Sequence, residues 1–214
     1  MTRAKRVFDL VAAAVGLVLL SPLLLILALL IKAEDGGPAF FGHERVGHRG
    51  RPFRMWKLRT MVASAEARGL PLTVGRDPRV TRVGAWLRRL KLDELPQLFN
   101  VLVGDMSLVG PRPEVPRYVA SYNAAERRVL ELVPGITDEA SIRYVDEGAL
   151  LASAADPERL YIDEIVPEKI RMNLAYAAHA TVRTDVGVIV ATLRQLVFPP
   201  DPTDASLAPR STSR

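Results

Sequence analysis

The chain contains no cysteine, which excludes disulfides, thiol catalysis and zinc sites built from thiolates. Its three histidines, His43, His48 and His179, do not have the spacing of a metal-binding pair. No internal repeat is visible, and no series of aromatic and basic residues resembles a nucleic-acid-binding module. The net charge of +5 suits an anionic partner, and these absences favour a phosphorylated substrate or a lipid surface over nucleic acid.

Charged residues are also absent from residues 10–31. At about 1.5 Å per residue, a helix over this stretch extends roughly 33 Å, enough to cross the hydrocarbon core of a bilayer. No small-residue cleavage pattern follows the apolar run before Lys32, so a cleavable signal peptide is not indicated. We therefore predict a membrane helix over residues 1–32.

Ser21 and Pro22 lie near the middle of this apolar stretch. Proline removes a helical hydrogen bond and favours a kink, while the serine hydroxyl can bond to a freed carbonyl. The helix could span the membrane, or it could bend at Pro22 and return to the same side. Basic residues flank both ends, over 3–6 and at Lys32, and the positive-inside tendency therefore favours the re-entrant form. Asp9, the lone acid near the helix entry, is expected at the membrane interface rather than buried.

The rest of the sequence predicts an α/β domain over residues 33–198 that is mostly helical. Residues 39–61 have the pattern of a short β-hairpin around a glycine-rich, basic turn. An amphipathic helix is indicated by the apolar ridge of Trp86, Leu87, Leu90, Leu92 and Leu95 among arginines. The other predicted elements are a short helix over 62–68, a helix over 115–132, two helices over 157–196 and a disordered tail over 199–214.

Residues 91–117, KLDELPQLFNVLVGDMSLVGPRPEVPR, bring together the polar residues that are best suited to chemistry. Asp93 and Glu94 follow a basic run, and Pro96 ends any preceding helix. Because nearby cations lower the pKa of an acid, we expect Asp93 to be ionised and able to act as nucleophile, metal ligand or both. Arg112, between two prolines, projects from a stiff backbone that is suited to binding an anion. Taken alone, the acid pair also fits a solvated helix end with weak surface ion pairs.

The string as a whole resembles the core signature of the bacterial sugar transferases, small monotopic phosphoglycosyl transferases that load a sugar 1-phosphate onto a polyprenyl phosphate. The resemblance spans roughly residues 5–137, and a weaker resemblance continues through 160–198. It is carried by KRVFDL at 5–10, the apolar stretch with Ser21-Pro22, GPAFF at 37–41, RVG at 45–47, FRMWKLRTM at 53–61, DPRVTRVGAWLR at 77–88, the DELPQLFNVL and GDMSLVGPRP segments, and PGIT at 134–137.

The resemblance implies a re-entrant membrane helix and amphipathic interfacial helices around a small catalytic domain. It implies that Asp93 attacks the phosphate next to the sugar of a UDP-sugar, forms a covalent aspartyl-phosphosugar and releases UMP. Polyprenyl phosphate then attacks that intermediate. Glu94 matches the essential neighbour and is assigned to metal or proton handling, with Mg²⁺ as the expected cofactor of Asp93 and Glu94. The candidate substrate-binding cations are Lys57, Arg88 and Arg112, with Arg59 and Arg79 as weaker candidates.

One segment departs from the family pattern. Many members continue PGIT with a run whose arginine helps to bind substrate, whereas this chain has Val145 at that place. Arg143, two residues earlier, is the candidate replacement. The identity of the sugar therefore cannot be carried over from the resemblance.

These expectations divide the chain into a membrane helix over 1–32, a cytoplasmic catalytic domain over 33–198 and the tail. They place it at the bacterial inner membrane, with UDP-sugar, polyprenyl phosphate and membrane lipids as partners, and leave a homodimer open. Two other functions also stay open: a membrane-anchored hydrolase with an aspartyl-phosphate intermediate, and a basic membrane module without catalysis. Added polyprenyl phosphate should accelerate turnover by a transferase and leave a hydrolase unchanged.

Overall fold

The computed structural model describes residues 1–62 and 77–198. Its helices are α1 (Arg3–Asp35), α2 (Arg82–Arg89), α3 (Gln97–Val103), α4 (Pro116–Val119), α5 (Glu139–Arg143), α6 (Glu147–Ala152), α7 (Pro157–Leu160), α8 (Val166–Ala177) and α9 (Val182–Val197). The strands are β1 (Phe40–Val46), β2 (Pro52–Leu58), β3 (Ser107–Val109) and β4 (Gly135–Thr137). The predicted mostly helical fold with a short hairpin is confirmed. The predicted tail and all but the first residue of the helix expected over 62–68 lie outside the described residues.

The predicted apolar helix is confirmed as α1, a single helix that contains Pro22. Among the described residues, α1 alone is long and apolar enough to cross a membrane. Thr2 caps its start by accepting a hydrogen bond from Lys5 N, and Gly36 ends it in the left-handed conformation. The Ser21 hydroxyl donates to the carbonyl of Val18 at 2.8 Å, as expected beside a proline that interrupts the ladder.

One face of α1 packs along the rest of the protein for nearly its whole length. Ala13 is buried against Met55, Val101 and Met106, and Leu27 packs in a cluster with Leu58 and Leu87. The opposite face is apolar and exposed, at Val7, Val11, Val15, Val18, Leu19, Leu25, Ile26, Leu29 and Leu30. The helix therefore has a protein-facing stripe and a continuous apolar outer face.

The N-terminal end of α1 is joined to the domain by buried polar contacts. Asp9 is fully buried and accepts hydrogen bonds from Ser107 Oγ at 2.8 Å and Leu108 N at 3.2 Å. The expectation that Asp9 avoids burial is therefore wrong, whereas its depth relative to the membrane interface stays a prediction. These bonds satisfy the carboxylate at the edge of β3, which compensates for its lost hydration.

Two small sheets are present in the described part. Strands β1 and β2 form the predicted antiparallel hairpin, with Phe40 opposite Leu58 and Val46 opposite Pro52. Strands β3 and β4 pair in parallel, and this pairing was not predicted from the sequence. A Cβ on Gly135 would lie 2.1 Å from Gly110 N, so this close strand contact requires glycine.

The prediction of a single helix over 115–132 is wrong. Helix α4 ends at Val119, and a separate 3₁₀ turn covers Glu126–Glu131. Between them, the side chain of Asn123 accepts hydrogen bonds from Ala125 N and Glu126 N. This side chain competes with the helical ladder for backbone donors and forms a turn instead.

The two helices predicted over 157–196 are confirmed in outline. The first consists of α7, a π turn over Tyr161–Ile165 and α8, and the second is α9. Tyr161 and Ile165 join Tyr118, Tyr122 and other side chains in the largest core cluster. Helix α9 has an exposed apolar face at Val186, Val190, Leu193, Leu196 and Val197.

Candidate active site

Three chain segments converge at the candidate site: the end of β2, the 3₁₀ turn Leu92–Glu94 and the loop between β3 and α4. Helix α2 lies very close to the chain that follows β2. A Cβ on Gly84 would lie 2.1 Å from Thr60 O, so only glycine allows this approach. Lys91 then adopts a left-handed conformation, with φ of 55°, immediately before the turn. The acid pair is thereby directed toward β2.

Glu94 lies between two cations. Its Oε1 is 2.9 Å from Lys57 Nζ and 2.5 Å from Arg112 Nη2, and its Oε2 accepts from Arg112 Nη1 at 3.2 Å. Burial raises the pKa of Glu94, but Arg112 and Lys57 together lower it well below its ordinary value. The Glu94 carboxylate in turn raises the pKa of Arg112. Glu94 is therefore an ionised counterion that holds two cations in place.

Asp93 has a different environment from its neighbour. Its side chain is only 6% exposed, and its Oδ1 has no hydrogen-bond partner among the described residues. Burial raises the pKa of Asp93, with Lys57 acting against that shift. The expectation of a cation-lowered pKa is therefore wrong for Asp93 and applies to Glu94. Neither carboxylate is a solvated helix end.

The other predicted cations are placed differently. Arg88 Nε donates to Thr60 Oγ1 at 2.8 Å, and burial lowers the pKa of Arg88 while the nearby Asp93 charge raises it. Arg59 forms an ion pair with Asp35 at the end of α1 rather than with the acid pair. Arg143 lies on α5, close enough to Glu168 and Tyr144 for its charge to influence the pKa of both side chains.

Comparisons with known proteins identify the family. The model of the bacterial sugar transferase family matches residues 1–199. The chain belongs to this family. The predicted resemblance is therefore confirmed over more of the chain than the motifs themselves cover.

The names of three relatives indicate what proteins similar to this chain do. A UDP-glucose:undecaprenyl-phosphate glucose-1-phosphate transferase of Caulobacter vibrioides is 38% identical, over 90% of this chain and 69% of that protein. A UDP-N-acetylgalactosamine-undecaprenyl-phosphate N-acetylgalactosaminephosphotransferase of Aeromonas hydrophila is 37% identical, over 90% of this chain and 43% of that protein. The exopolysaccharide production protein ExoY of Rhizobium meliloti is 44% identical, over 63% of this chain and 66% of that protein. The alignments thus cover less than half of the Aeromonas protein and about two thirds of the other two.

The donor set of the transferase fits a magnesium ion held in part by its substrate. Among the described residues, no group of three or more His, Asp or Glu side chains is suited to hold a metal. Asp93 nevertheless offers a carboxylate oxygen without a protein partner, and Mg²⁺ commonly takes one or two carboxylates together with substrate phosphates. Both oxygens of Glu94 are engaged by cations, so Asp93 fits this role better than Glu94.

Two residues near this site, Gln97 and Asp138, were not predicted from the sequence. Gln97 is 1% exposed, and neither atom of its amide has a hydrogen-bond partner among the described residues. Leu95 and Pro96 have right-handed helical conformations, so Gln97 lies one turn after Asp93 on the same side. Its place in the DELPQ segment was the available signal.

Asp138 is a second missed residue. Its Oδ2 accepts hydrogen bonds from Arg112 N at 3.1 Å and from Asn173 Nδ2 at 3.0 Å, and its other oxygen accepts from Ser141 N at the start of α5. Asp138 thus connects the backbone at Arg112 to α5 and α8. Only the bond to Ser141, three residues away, is local, and no local sequence pattern indicates the bonds to Arg112 and Asn173, which are distant in the chain.

Proposed function

We propose that this protein transfers a sugar 1-phosphate from a UDP-sugar to undecaprenyl phosphate or a similar polyprenyl phosphate, with release of UMP. The observation that carries the proposal is the buried Asp93 carboxylate, with one oxygen unpaired, beside a cation pair held by Glu94. The names of the relatives support the substrate classes. The product would enter the synthesis of a surface polysaccharide.

The proposed chemistry has two displacements. An oxygen of Asp93 attacks the phosphorus next to the sugar, and the bond from that phosphorus to the bridging oxygen breaks, so UMP leaves with the electron pair. A phosphate oxygen of the polyprenyl phosphate then attacks the same phosphorus and releases the Asp93 carboxylate. Both steps bring anions together, and cations must offset that repulsion.

The basic residues are assigned to that task. Arg112 presents a planar guanidinium that can bind two phosphate oxygens at once, and Lys57 shares its carboxylate partner. Arg88 lies near Asp93 and is assigned to the same diphosphate. Arg59 and Arg143 remain candidates for binding elsewhere on the substrate.

Magnesium is the proposed cofactor. Asp93 would hold it together with diphosphate oxygens, and the ion would supply charge neutralisation and polarisation of the phosphoryl group. This role is compatible with attack by Asp93 only if one carboxylate oxygen binds the ion while the other attacks. The unpaired Oδ1 leaves room for that division.

We further propose that α1 is re-entrant and that both its ends lie on the cytoplasmic face of the bacterial inner membrane. Lys5 bonds to Asp185 on α9, Arg6 donates to Val101 O on α3, and Glu34 accepts from Arg82 N at the start of α2. Both ends of α1 thus contact one domain, which supports entry and exit on the same side. The apolar outer faces of α1 and α9 are the proposed lipid contacts.

The direct test uses purified protein, Mg²⁺ and a panel of UDP-sugars, with and without undecaprenyl phosphate. We expect UMP release that accelerates when the lipid is added, and a lipid-linked sugar diphosphate as product. Excess EDTA should stop the reaction and Mg²⁺ should restore it. UMP release that is unchanged by the lipid would instead support the hydrolase, and full activity in EDTA would contradict the metal assignment.

A further inference from the structure

The Pro-Arg-Pro loop, residues 110–114, is held at its first half by β4 and α5. Gly110 N donates to Thr137 O at 3.0 Å, and Pro111 O accepts from Gly135 N at 3.0 Å. Asp138 Oδ2 accepts a hydrogen bond from Arg112 N. Because Pro111 and Pro113 restrict φ, the loop moves as a nearly rigid piece.

The second half of the loop is held by the hairpin. Pro113 O accepts from Arg45 Nη1 at 3.4 Å, and Glu114 O accepts from Val46 N at 2.9 Å. The guanidinium of Arg45 also lies 4.0 Å from Glu114 Oε2. The position of Glu114 is therefore tied to the end of β1.

The Glu114 side chain makes its shortest contact with Tyr161. The Tyr161 hydroxyl donates to Glu114 Oε1 at 2.5 Å, and Tyr161 is the first residue of the π turn. Its ring packs against Tyr118 at a centroid distance of 5.0 Å, and Lys169 Nζ lies 5.6 Å from the ring centroid. Ring and hydroxyl are thus fixed from several sides. Such π turns often occur at functional sites.

We propose that Tyr161 and Arg45 act through Glu114 as a clamp that positions the Pro-Arg-Pro loop, so that Arg112 reaches the substrate diphosphate. The inference rests on the proposed function, in which Arg112 binds that diphosphate. Glu114 is two residues from Arg112, and the intervening Pro113 transmits a displacement of Glu114 along the stiff backbone. Tyr161 is a positioning residue and is not assigned any contact with substrate. The clamp gives the segment 157–177 a role in substrate binding.

The first test compares two tyrosine variants. Tyr161→Phe removes the hydroxyl and keeps the ring. Tyr122→Phe is the matched control, because Tyr122 is also buried and lines the small cavity of about 50 Å³ behind the same loop, yet its hydroxyl makes no hydrogen bond to a described residue. Loss of a hydrogen bond to a carboxylate should raise the KM for UDP-sugar about tenfold in Tyr161→Phe, with kcat within about twofold.

The second test is a double-mutant cycle that combines Tyr161→Phe with Arg112→Lys. The kinetic constants of each variant are normalised to the concentration of folded protein. If the clamp acts through Arg112, adding Tyr161→Phe to Arg112→Lys should change the KM by less than about twofold. The clamp is overturned if Tyr161→Phe has the same KM as Tyr122→Phe, or if the effects of Tyr161→Phe and Arg112→Lys multiply. An unchanged KM in Arg112→Lys alone would overturn the proposed role of Arg112, and the clamp with it.

Discussion

At the scale of single residues, Asp93 and Glu94 are adjacent carboxylates with opposite environments. Glu94 is paired with Lys57 and Arg112, whereas Asp93 is buried with an oxygen that lacks a partner among the described residues. Burial raises the pKa of Asp93, and the two cations lower the pKa of Glu94. This contrast supports Asp93 as the attacking group and Glu94 as the residue that organises the cations.

The nucleophile assignment predicts the behaviour of Asp93→Asn. An amide oxygen cannot form the acyl phosphate, so this variant should lose UMP release and the covalent adduct by at least about a thousandfold. Intact-protein mass spectrometry after brief exposure to UDP-sugar measures the adduct. Asp163→Asn, at an exposed site on the π turn, is the control and should keep full activity. Substantial turnover by Asp93→Asn would place the nucleophile elsewhere.

Gln97 offers a second prediction at this scale. A buried amide without partners lowers stability, so the near-isosteric Gln97→Met should keep or raise the melting temperature. If the amide also forms a hydrogen bond to Asp93 or the bound substrate, the same variant should release UMP at least about tenfold more slowly. Both quantities are measurable on one preparation, by scanning fluorimetry and a UMP assay.

Asn100 provides the comparison for Gln97. Its amide is fully used, with bonds to Trp56 N at 2.9 Å, Arg54 O at 2.7 Å and Asp105 Oδ2 at 3.2 Å. Asn100→Ala should therefore lower the melting temperature clearly. Wild-type UMP release by Gln97→Met would show that the Gln97 amide has no part in the reaction.

At the scale of elements, α1 is the unit whose geometry decides where the site lies. Leu27 and Ile31 pack against Leu58 at the end of β2, close in sequence to Lys57. The N-terminal turns of the same helix hold β3 through Asp9. A helix that is attached at both ends therefore fixes the end of β2, and Lys57 with it, against its protein-facing stripe.

The topology proposal predicts the labelling pattern of introduced cysteines. The native chain has none, so Thr2→Cys and Ala124→Cys, both at exposed positions, report on the N-terminus and the domain. In intact cells both should resist a membrane-impermeant thiol reagent, and both should react after lysis. Labelling of Thr2→Cys from outside would exclude the re-entrant form without affecting the assignment of Asp93.

Replacement of Pro22 extends the same experiment. Pro22→Ala restores a backbone donor within α1, which favours a straight helix that spans the bilayer. Partial external labelling of Thr2→Cys is therefore expected in the Pro22→Ala background. The buried contacts of Lys5, Arg6 and Asp9 act against this change, so the shift should increase when Asp9→Asn is added.

At the scale of the whole molecule, the Glu94 cation pair contributes to global stability in a pH-dependent way. The folded pKa of Glu94 lies well below its ordinary value of 4.5, so its contribution is fully present above that value and is lost as pH falls through the folded pKa. Glu94→Gln leaves Lys57 and Arg112 facing each other and should cost about 2–3 kcal/mol at neutral pH.

The measurement is the melting temperature of wild type and Glu94→Gln as a function of pH. The gap between them should be constant from pH 8 to about pH 5 and should narrow only at lower pH. Glu168→Gln is the control, since Glu168 pairs with Arg171 on the surface of α8 and should cost little. A gap that closes already near neutral pH would contradict the lowered pKa.

The family, the apolar helix, the hairpin and the acid pair could be predicted because each depends on a run of neighbouring residues or on a set of compact motifs. The uncharged stretch 10–31, the hairpin pattern around a glycine-rich turn within 39–61 and the DELPQ segment act through local propensity or compact motifs. Lys57 and Arg112 were also identified from their motifs, and the structure brings both onto Glu94. Their roles toward a substrate stay predictions.

Contacts between distant segments were decided only by the tertiary structure. The parallel pairing of β3 with β4, the burial of Asp9 beneath Ser107 and the bond from Tyr161 to Glu114 join residues that no local pattern connects. The pKa of Asp93 belongs to the same class, because burial outweighs the neighbouring cations and burial is a property of the packed molecule. Sequence thus determined which groups are available for chemistry, while packing decided which of them are paired, which are left free and how each is charged.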